Sequence, residues 1–413
     1  MTPQNYLLCM GTRPEIIKMA PVYRALQAQG QKVTVLHTGQ HEEVAQALYR
    51  FFDMKPDISI ALQRQSPSLT HLSSALLNAI DAALLQLKPD VLLVQGDTTT
   101  ALVGALQGYY HDIPVGHVEA GLRTGEREPF PEEKNRELIG RLSRWHFAPT
   151  RQCKYNLLSE GVDLARIFEV GNTVIDAACW TRDRLSRSEP ASQDRMPPPI
   201  RSFLARHVGK KLMLITAHRR ENWGQPIRSV ATAVAQIIAN HEDTVALWPV
   251  HPNPSVQADV NSVLSRMPAQ VRERICLSEP LGYQTMISLL LQCEFALTDS
   301  GGIQEEASAF GKPVLVARQS TERQELVQAG GAVLVGTSVE AITAHADALL
   351  TQPQIYRSMQ LSQSPFGDGQ SAQRIAAILV ESVAFESAQQ AATVWPPFPV
   401  PALRTPTAQA LYA

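Results

Sequence analysis

An α/β fold of two Rossmann-like halves facing each other across a central cleft is predicted by three observations. Short apolar runs with few charges alternate with longer segments of helical period, which is the pattern of βα units around a buried parallel sheet. That rhythm occurs twice, from Tyr6 to Pro149 and again from Leu212 onward. Polar residues crowd directly behind the apolar runs, where an open α/β sheet meets its ligands.

The elements follow in order. A strand over Tyr6–Met10 leads through a polar turn into a helix from about Pro14 to Gln29, closed by Gly30, and Val33–His37 is the second strand. Val91–Val94 and Val115–Val118 are two more, each entered through a proline-containing turn, with an Ala/Leu-rich helix Thr99–Tyr110 between them. Phe147–Pro149 reads as a strand end. The second series is Leu212–Ile215, Val245–Trp248, Ile275–Leu277, Phe295–Leu297, Val314–Ala317 and Val333–Val335. The expected division is therefore residues 1–170 and 171–369, with Ser186–Pro199 a loop region in the second half. Residues 386–413, rich in Ala, Pro and Gln, are expected to be a poorly structured tail.

Composition removes several function classes. With 44% apolar and 18% charged residues, 413 positions suffice for two ordinary cores. The balance of 37 basic against 39 acidic residues gives −2, so nothing global draws the chain to nucleic acid or to an anionic membrane. The five cysteines are scattered, with no C-x-x-C pair and no metal-ligand spacing, and read as free thiols in a reducing compartment, with no metal site. There is no basic n-region at the N-terminus, and no apolar stretch approaches the ~20 residues of a membrane span, so a cytoplasmic location is expected.

The chemistry-bearing residues follow the strands. After the first comes Gly11-Thr12-Arg13-Pro14-Glu15-Ile16-Ile17-Lys18, where glycine permits close backbone approach and Arg13 and Lys18 can reach a diphosphate; a structural turn with solvated charges is the plainer alternative. Asp97, in Gln95-Gly96-Asp97-Thr98-Thr99-Thr100 behind the strand Val91–Val94, is a candidate at the cleft, with an N-cap the favoured reading on local grounds alone. Glu119 immediately follows an apolar run and is expected at the cleft mouth. Glu132 opens a helix after Pro129-Phe130-Pro131 and also satisfies the capping rule. His218, beside Arg219 and Arg220, suits anion binding or acid/base work as well as a surface ion-pair cluster, and His251 sits in a proline-rich loop. Ser300-Gly301-Gly302 opening a helix is a phosphate seat, and Glu306 one turn further on can accept from ribose hydroxyls. No G-x-G-x-x-G follows the first strand and no Walker motif occurs, so no dinucleotide or other cofactor is expected.

Taken together, Gly11–Lys18, Gly96–Thr100, His117–Thr124, Pro131–Arg136, Gly171–Ala177, His218–Glu221, Pro249–Pro254, Asp299–Ala307 and Gly367–Gln370, all in family order over roughly residues 5–380, resemble the bacterial non-hydrolysing UDP-N-acetylglucosamine 2-epimerases. The resemblance implies a GT-B-like fold whose last helix, about 370–385, crosses back to the first half. It implies that Arg13, Lys18, Arg136 and His218 contact the substrate, that Ser300, Gly301, Gly302, Glu306 and Arg323 hold UDP, and that Asp97, Glu119 and Glu132 supply acid/base chemistry with help from His218. It further implies a homodimer, a place in polysaccharide biosynthesis, and a second UDP-GlcNAc bound as activator near Gln40, Glu43, Arg64 and His251. Gln324 and Ser308 stand where the family usually has proline, and Glu43 where glutamine is common.

The chemistry fits that implication. The C2 proton of the sugar lies beside an acetal carbon, so a base alone would leave an unstabilised carbanion; breaking the C1–O bond to UDP as the proton leaves gives a 2-acetamidoglucal instead. Inversion then requires acid/base groups on both faces. Sequence leaves open which carboxylate takes the proton. A hydrolysing relative, a GT-B glycosyltransferase and a silent UDP-sugar sensor are the competing readings.

Overall fold

Every strand pairing among the described residues is parallel. The computed structural model describes residues 3–39, 42–62, 66, 68–127, 129–187 and 196–393. The first series is β1 (Asn5–Met10), α1 (Arg13–Ala28), β2 (Lys32–His37), α2 (Glu42–Phe51), β3 (Ile58–Ser59), α3 (Leu69–Leu87), β4 (Val91–Gln95), α4 (Thr99–Tyr110), β5 (Val115–Val118), α5 (Glu132–Leu142), β6 (Trp145–Ala148), α6 (Arg151–Ser159) and β7 (Ile167–Glu169). Two helices follow, α7 (Thr173–Arg187) and α8 (Pro198–Arg206). The second series is β8 (Lys211–Thr216), α9 (Gln225–Asn240), β9 (Thr244–Pro249), α10 (Pro254–Leu264), α11 (Ala269–Arg272), β10 (Ile275–Ser278), α12 (Tyr283–Gln292), β11 (Phe295–Thr298), α13 (Gly301–Ala309), β12 (Val314–Val316), α14 (Gln324–Gln328) and β13 (Ala332–Leu334). Helices α15 (Val339–Thr351), α16 (Pro353–Met359) and α17 (Ser371–Thr393) complete the chain.

The strands form two sheets, ordered β3-β2-β1-β4-β5-β6-β7 and β10-β9-β8-β11-β12-β13. Residues of β1 from Tyr6 to Met10 and of β4 from Val91 to Val94 are fully buried, which is why those segments read as uninterrupted apolar runs. In each sheet the strand order reverses once, between β1 and β4 and between β8 and β11, and a crevice opens at the carboxyl ends there. Gly11 to Arg13 follow β1, Gly96 and Asp97 follow β4, His218 follows β8, and Asp299 and Ser300 follow β11.

The chain passes between the halves twice, and the two passages lie side by side. The Asn172 N–H donates to the Phe366 carbonyl at 2.6 Å, and Arg374 donates to the Val170 carbonyl at 3.1 Å. Asp176 on α7 accepts from the Ala372 N–H at 2.8 Å, which anchors the start of α17. Helix α17 then packs on α1 and α7, and α7 itself packs on α1, α12 and α13. Residue 170, the expected division, thus falls between the last strand of the first sheet and a helix that touches both halves. Phe52, Trp180 and Tyr283 continue the seam, with Phe52 5.3 Å from Trp180 and 5.8 Å from Tyr283 between ring centroids.

Two expectations are corrected. The last helix runs to Thr393, past the residue 386 at which a poorly structured tail was expected, because Ser387 to Thr393 contain good helix formers and neither Gly nor Pro interrupts them before Pro396. Pro198 and Pro199 belong to α8 rather than to a loop, since proline is tolerated in the first helical turn. Residues 394–413, Gln40 and Arg64, and the side chain of Glu43, lie outside the described residues.

Gly171 has φ +93°, and a Cβ there would lie 2.5 Å from Ser371 Oγ. Gly171→Ala is expected to lower stability by about 1–3 kcal/mol through backbone strain and this clash. Urea denaturation checks it; an unchanged midpoint would show that the two passages are not tightly apposed.

Candidate active site

The carboxyl ends of β1 and β4 are locked together by one carboxylate. Glu15, in the first turn of α1 and fully buried, accepts from the Gly11 and Thr12 N–H groups at 3.0 and 2.7 Å and from Thr98 Oγ1 at 2.7 Å. This cap holds the turn from which Arg13 projects and fixes Thr98 beside Asp97. Asp97 is itself bound by α5: Arg136 donates to its carboxylate at 2.5 Å and Asn135 to its carbonyl at 2.8 Å. Burial raises the Asp97 carboxyl above its ordinary value despite Arg136, and the nearby charge of Glu119 adds to the rise.

Glu119 follows β5 in the left-handed region at φ +67°, a conformation costing a non-glycine residue about 1–3 kcal/mol. Its carboxylate is buried, and three donors hold it: Lys18 Nζ and Asn172 Nδ2 on one oxygen, the latter at 2.8 Å, and Gln95 Nε2 on the other. Burial acts to raise this carboxyl, but the charges of Lys18 and Arg323 and the donated hydrogen bonds overcome it, and the group is held below its ordinary value. A Cβ on Gly96 would lie 3.5 Å from Glu119 Oε2, so Glu119 lies directly against the residue preceding Asp97. His117, two positions back on β5 and fully buried, bonds the Gly96 carbonyl at 2.7 Å; burial pushes its imidazole down to about 3, and it is neutral.

Between the halves a cavity of about 430 Å³ is lined by Arg13 and Lys18 from α1, His218 and His251, and Ser300, Gly301, Gly302 and Glu306 of α13 with its cap. The first N–H groups of α13 have no partner within the helix and carry its positive dipole end, which suits a diphosphate. At Gly301 a Cβ would lie 2.9 Å from Arg323 Cζ and would displace that guanidinium, whereas a Cβ on Gly302 would meet almost open space. The His218 and Arg219 N–H groups both donate to Asp299 at 2.9 Å, and Asn222 donates to the same oxygen at 2.8 Å, so a fully buried aspartate shapes the loop carrying His218. Burial lowers the His218 imidazole, only partly opposed by Asp299.

Glu305 and Glu306 are adjacent on α13 and face different ways. Glu306 reaches the cavity, and its burial pushes it up to about 8 with Arg13 opposing. Glu305, 1% exposed, turns toward the first half, accepting from Arg323 Nε at 2.9 Å and Asn172 Nδ2 at 3.3 Å, with Lys18 Nζ at 3.7 Å.

Of the expected residues, the structure brings Asp97, Glu119, Lys18 and Arg136 into one network. Glu132 opens the α5 helix that binds Asp97 and is partly buried, next to Glu133, which caps the Thr124 and Gly125 N–H groups at 2.9 and 3.0 Å. His251, expected near an activator, lines the nucleotide-sized cavity with its ring 5.4 Å from that of Trp223. Sequence reasoning assigned no role to Gln95, Asn172, Asp299 or Glu305. Only Asn172 carried a local signal, a small polar residue beside Gly171 at a break between elements.

A family model described as UDP-N-acetylglucosamine 2-epimerase matches residues 24–380. A Yersinia pestis protein named UDP-N-acetylglucosamine 2-epimerase is 43% identical over 376 residues, spanning 89% of this chain and 96% of its own length. The crystal structure of the Neisseria meningitidis UDP-GlcNAc 2-epimerase bound to UDP-GlcNAc is similar with a TM-score of 0.83 at 37% identity, covering 91% of this chain and 100% of that one. That of the Methanocaldococcus jannaschii UDP-GlcNAc 2-epimerase, in complex with UDP-GlcNAc and UDP, gives 0.76 at 33%, covering 91% and 99%.

The elevation of Glu306 to about 8 from 4.5 has a sign that can be tested. The folded state binds its proton more tightly than the unfolded one, so this contribution is complete below about pH 4.5 and is lost as pH rises toward 8. Glu306→Gln, neutral throughout, is expected to be more stable than the unliganded wild type at pH 8 and within ~1 kcal/mol of it at pH 5. Denaturant titration at both values checks this, and an equal difference at both would contradict it.

Proposed function

Because the chain belongs to the UDP-N-acetylglucosamine 2-epimerase family, we propose that it reversibly converts UDP-N-acetylglucosamine to UDP-N-acetylmannosamine by eliminating UDP to a bound 2-acetamidoglucal and adding it back. The observation that carries this reading is Lys18, which lines the nucleotide-sized cavity and at the same time donates to Glu119. A leaving diphosphate and a carboxylate base would therefore share one lysine.

In the elimination, Glu119 takes the C2 proton, the C–H electron pair becomes the C1=C2 double bond, and the C1–O pair departs with UDP. Glu119 is held ionised and Asp97 is pushed toward its protonated form, the divergence expected of a base and an acid on one substrate. On re-addition, Asp97 delivers a proton to the other face of C2 and the UDP oxygen returns to C1. Glu132, on the helix that holds Asp97, completes the acid/base set. The start of α13 with Ser300, Gly301 and Gly302 seats the phosphates, Arg13 and His218 offset the charge on departing UDP, and Arg136 fixes Asp97. Glu306, protonated or ionised, accepts from the ribose hydroxyls, and Arg323 braces the phosphate seat from behind Gly301. Closure of the halves keeps the glycal from water.

The reading extends to a homodimer and to a second UDP-GlcNAc as activator beside His251, with Gln40, Glu43 and Arg64 as its further contacts; the presence of both UDP-GlcNAc and UDP in the Methanocaldococcus jannaschii protein is compatible with two such ligands. No helix among the described residues is long and apolar enough to cross a membrane, which is compatible with a cytoplasmic enzyme of polysaccharide biosynthesis.

Incubation with UDP-GlcNAc alone in D₂O, followed by proton NMR, is expected to show deuterium at C2 and a UDP-ManNAc signal. Free N-acetylmannosamine would instead identify a hydrolase. Absence of exchange without an acceptor would leave the transferase or sensor and overturn the epimerase. Glu119→Gln is expected to slow exchange by at least about 100-fold while UDP affinity by calorimetry stays within about threefold.

A further inference from the structure

Asn172 sits where the chain first crosses between the halves, 2% exposed, and every polar group it has is engaged. Its N–H donates to the Phe366 carbonyl of the returning passage at 2.6 Å, and its carbonyl accepts from Ile175 N at 3.0 Å. Its side-chain oxygen accepts from the Val174 N–H at 3.1 Å, at the start of α7. A backbone N–H can only donate, so this contact fixes which end of the amide is oxygen and turns the NH₂ toward the carboxylates. The two hydrogens of that NH₂ go to Glu119, of the first half, and Glu305, of the second, at 2.8 and 3.3 Å.

Glu119 has one cationic donor, Lys18, and that lysine also faces the cavity proposed to take the diphosphate. Were Lys18 to turn to the phosphates, Glu119 would keep only the amides of Asn172 and Gln95. A neutral donor orients a carboxylate while quenching its basicity less than an ammonium does. We propose that Asn172 is a positioning residue for Glu119, presenting a donor anchored at the hinge and shared with Glu305, so that the orientation of the base depends on the two halves being closed on each other. This rests on the epimerase reading of Glu119. The charged and titratable groups facing Glu119 are Lys18 from α1, Asp97 beyond β4, His117 on β5, Cys153 on α6, Glu305 from α13 and Arg323 before α14.

Asn172→Asp tests it, because the substituted side chain keeps an acceptor for Val174 N–H but loses the NH₂. Losing a donor to the charged form and gaining a neighbouring negative charge both raise the Glu119 carboxyl. The base works ionised, so the acidic limb of kcat/KM is expected to move up by about one pH unit. The C2 exchange rate at saturation should fall about 10-fold or more, with KM and UDP affinity within about threefold. Asn172→Ser, which keeps a short acceptor at the start of α7 but cannot reach Glu119, should move the limb in the same direction if the Asp variant does not fold. An independent readout is the ¹³Cδ resonance of Glu119, assigned by its loss in Glu119→Gln, which is expected to titrate at higher pH in either variant. A limb and a resonance that stay at their wild-type positions would overturn the inference. A wild type without C2 exchange would remove the epimerase reading, and the resonance alone would then decide whether Asn172 governs Glu119.

Discussion

Keeping an ionised carboxylate inside the protein is the demand around which the rest of the site is arranged. Glu119 is buried and occupies a backbone region unfavourable to any residue but glycine. Left unpaired in that place the charge would cost several kcal/mol and would be lost by protonation. It persists because Lys18, Gln95 and Asn172 converge on it from α1, β4 and the first passage between the halves. Each of these is in turn constrained. Lys18 stands on a helix whose start is locked by Glu15, and Asn172 is tied to Phe366. Glu305 and Arg323 bring the second half to the same point, so the charge balance around this carboxylate is completed only with both halves present.

The two-sheet fold was legible because parallel strands buried on both faces leave contiguous apolar runs such as Tyr6–Met10 and Val91–Val94. The helix expected over Thr99–Tyr110 is the observed α4. Short edge strands were not legible: β3 is two residues and β7 three, too brief for any period to emerge from Ile58-Ser59 or Ile167-Phe168-Glu169. At the site, residues directly behind strands were readable, because topology alone places Arg13, Asp97, Glu119 and His218 at the crevice. Glu305 was not, since one helical position separates a residue lining the cavity from one facing the other half, and nothing local distinguishes them. Asp299 and Glu15 work through backbone N–H groups whose approach only the folded chain determines.

The two departures that stand where the family usually has proline are accommodated by hydrogen bonds that proline could not make. Ser308 Oγ bonds the Glu305 carbonyl and Ser364 Oγ, both at 2.7 Å, linking α13 to the segment before the returning passage. Gln324 Nε2 donates to the Thr321 carbonyl at 2.7 Å and bridges the loop that carries Arg323. Both replace rigidity of the chain with rigidity from side-chain bonding, on the helix and loop that carry Glu305 and Arg323.

The apposed passages at Gly171 and Gly367 also determine how the halves can move. Two well-separated tethers would permit sliding, twisting and opening in several directions. Two strands of chain bonded to each other at Asn172 and Phe366 behave as a spine. Rotation about the line through them leaves the bond between them intact, whereas shear of one half over the other would tear it. The relative motion of two rigid bodies, six coordinates in general, is thereby reduced toward one angle. A ligand that drew α13 toward α1 about that line would carry the groups on α13 together, without aligning each one separately.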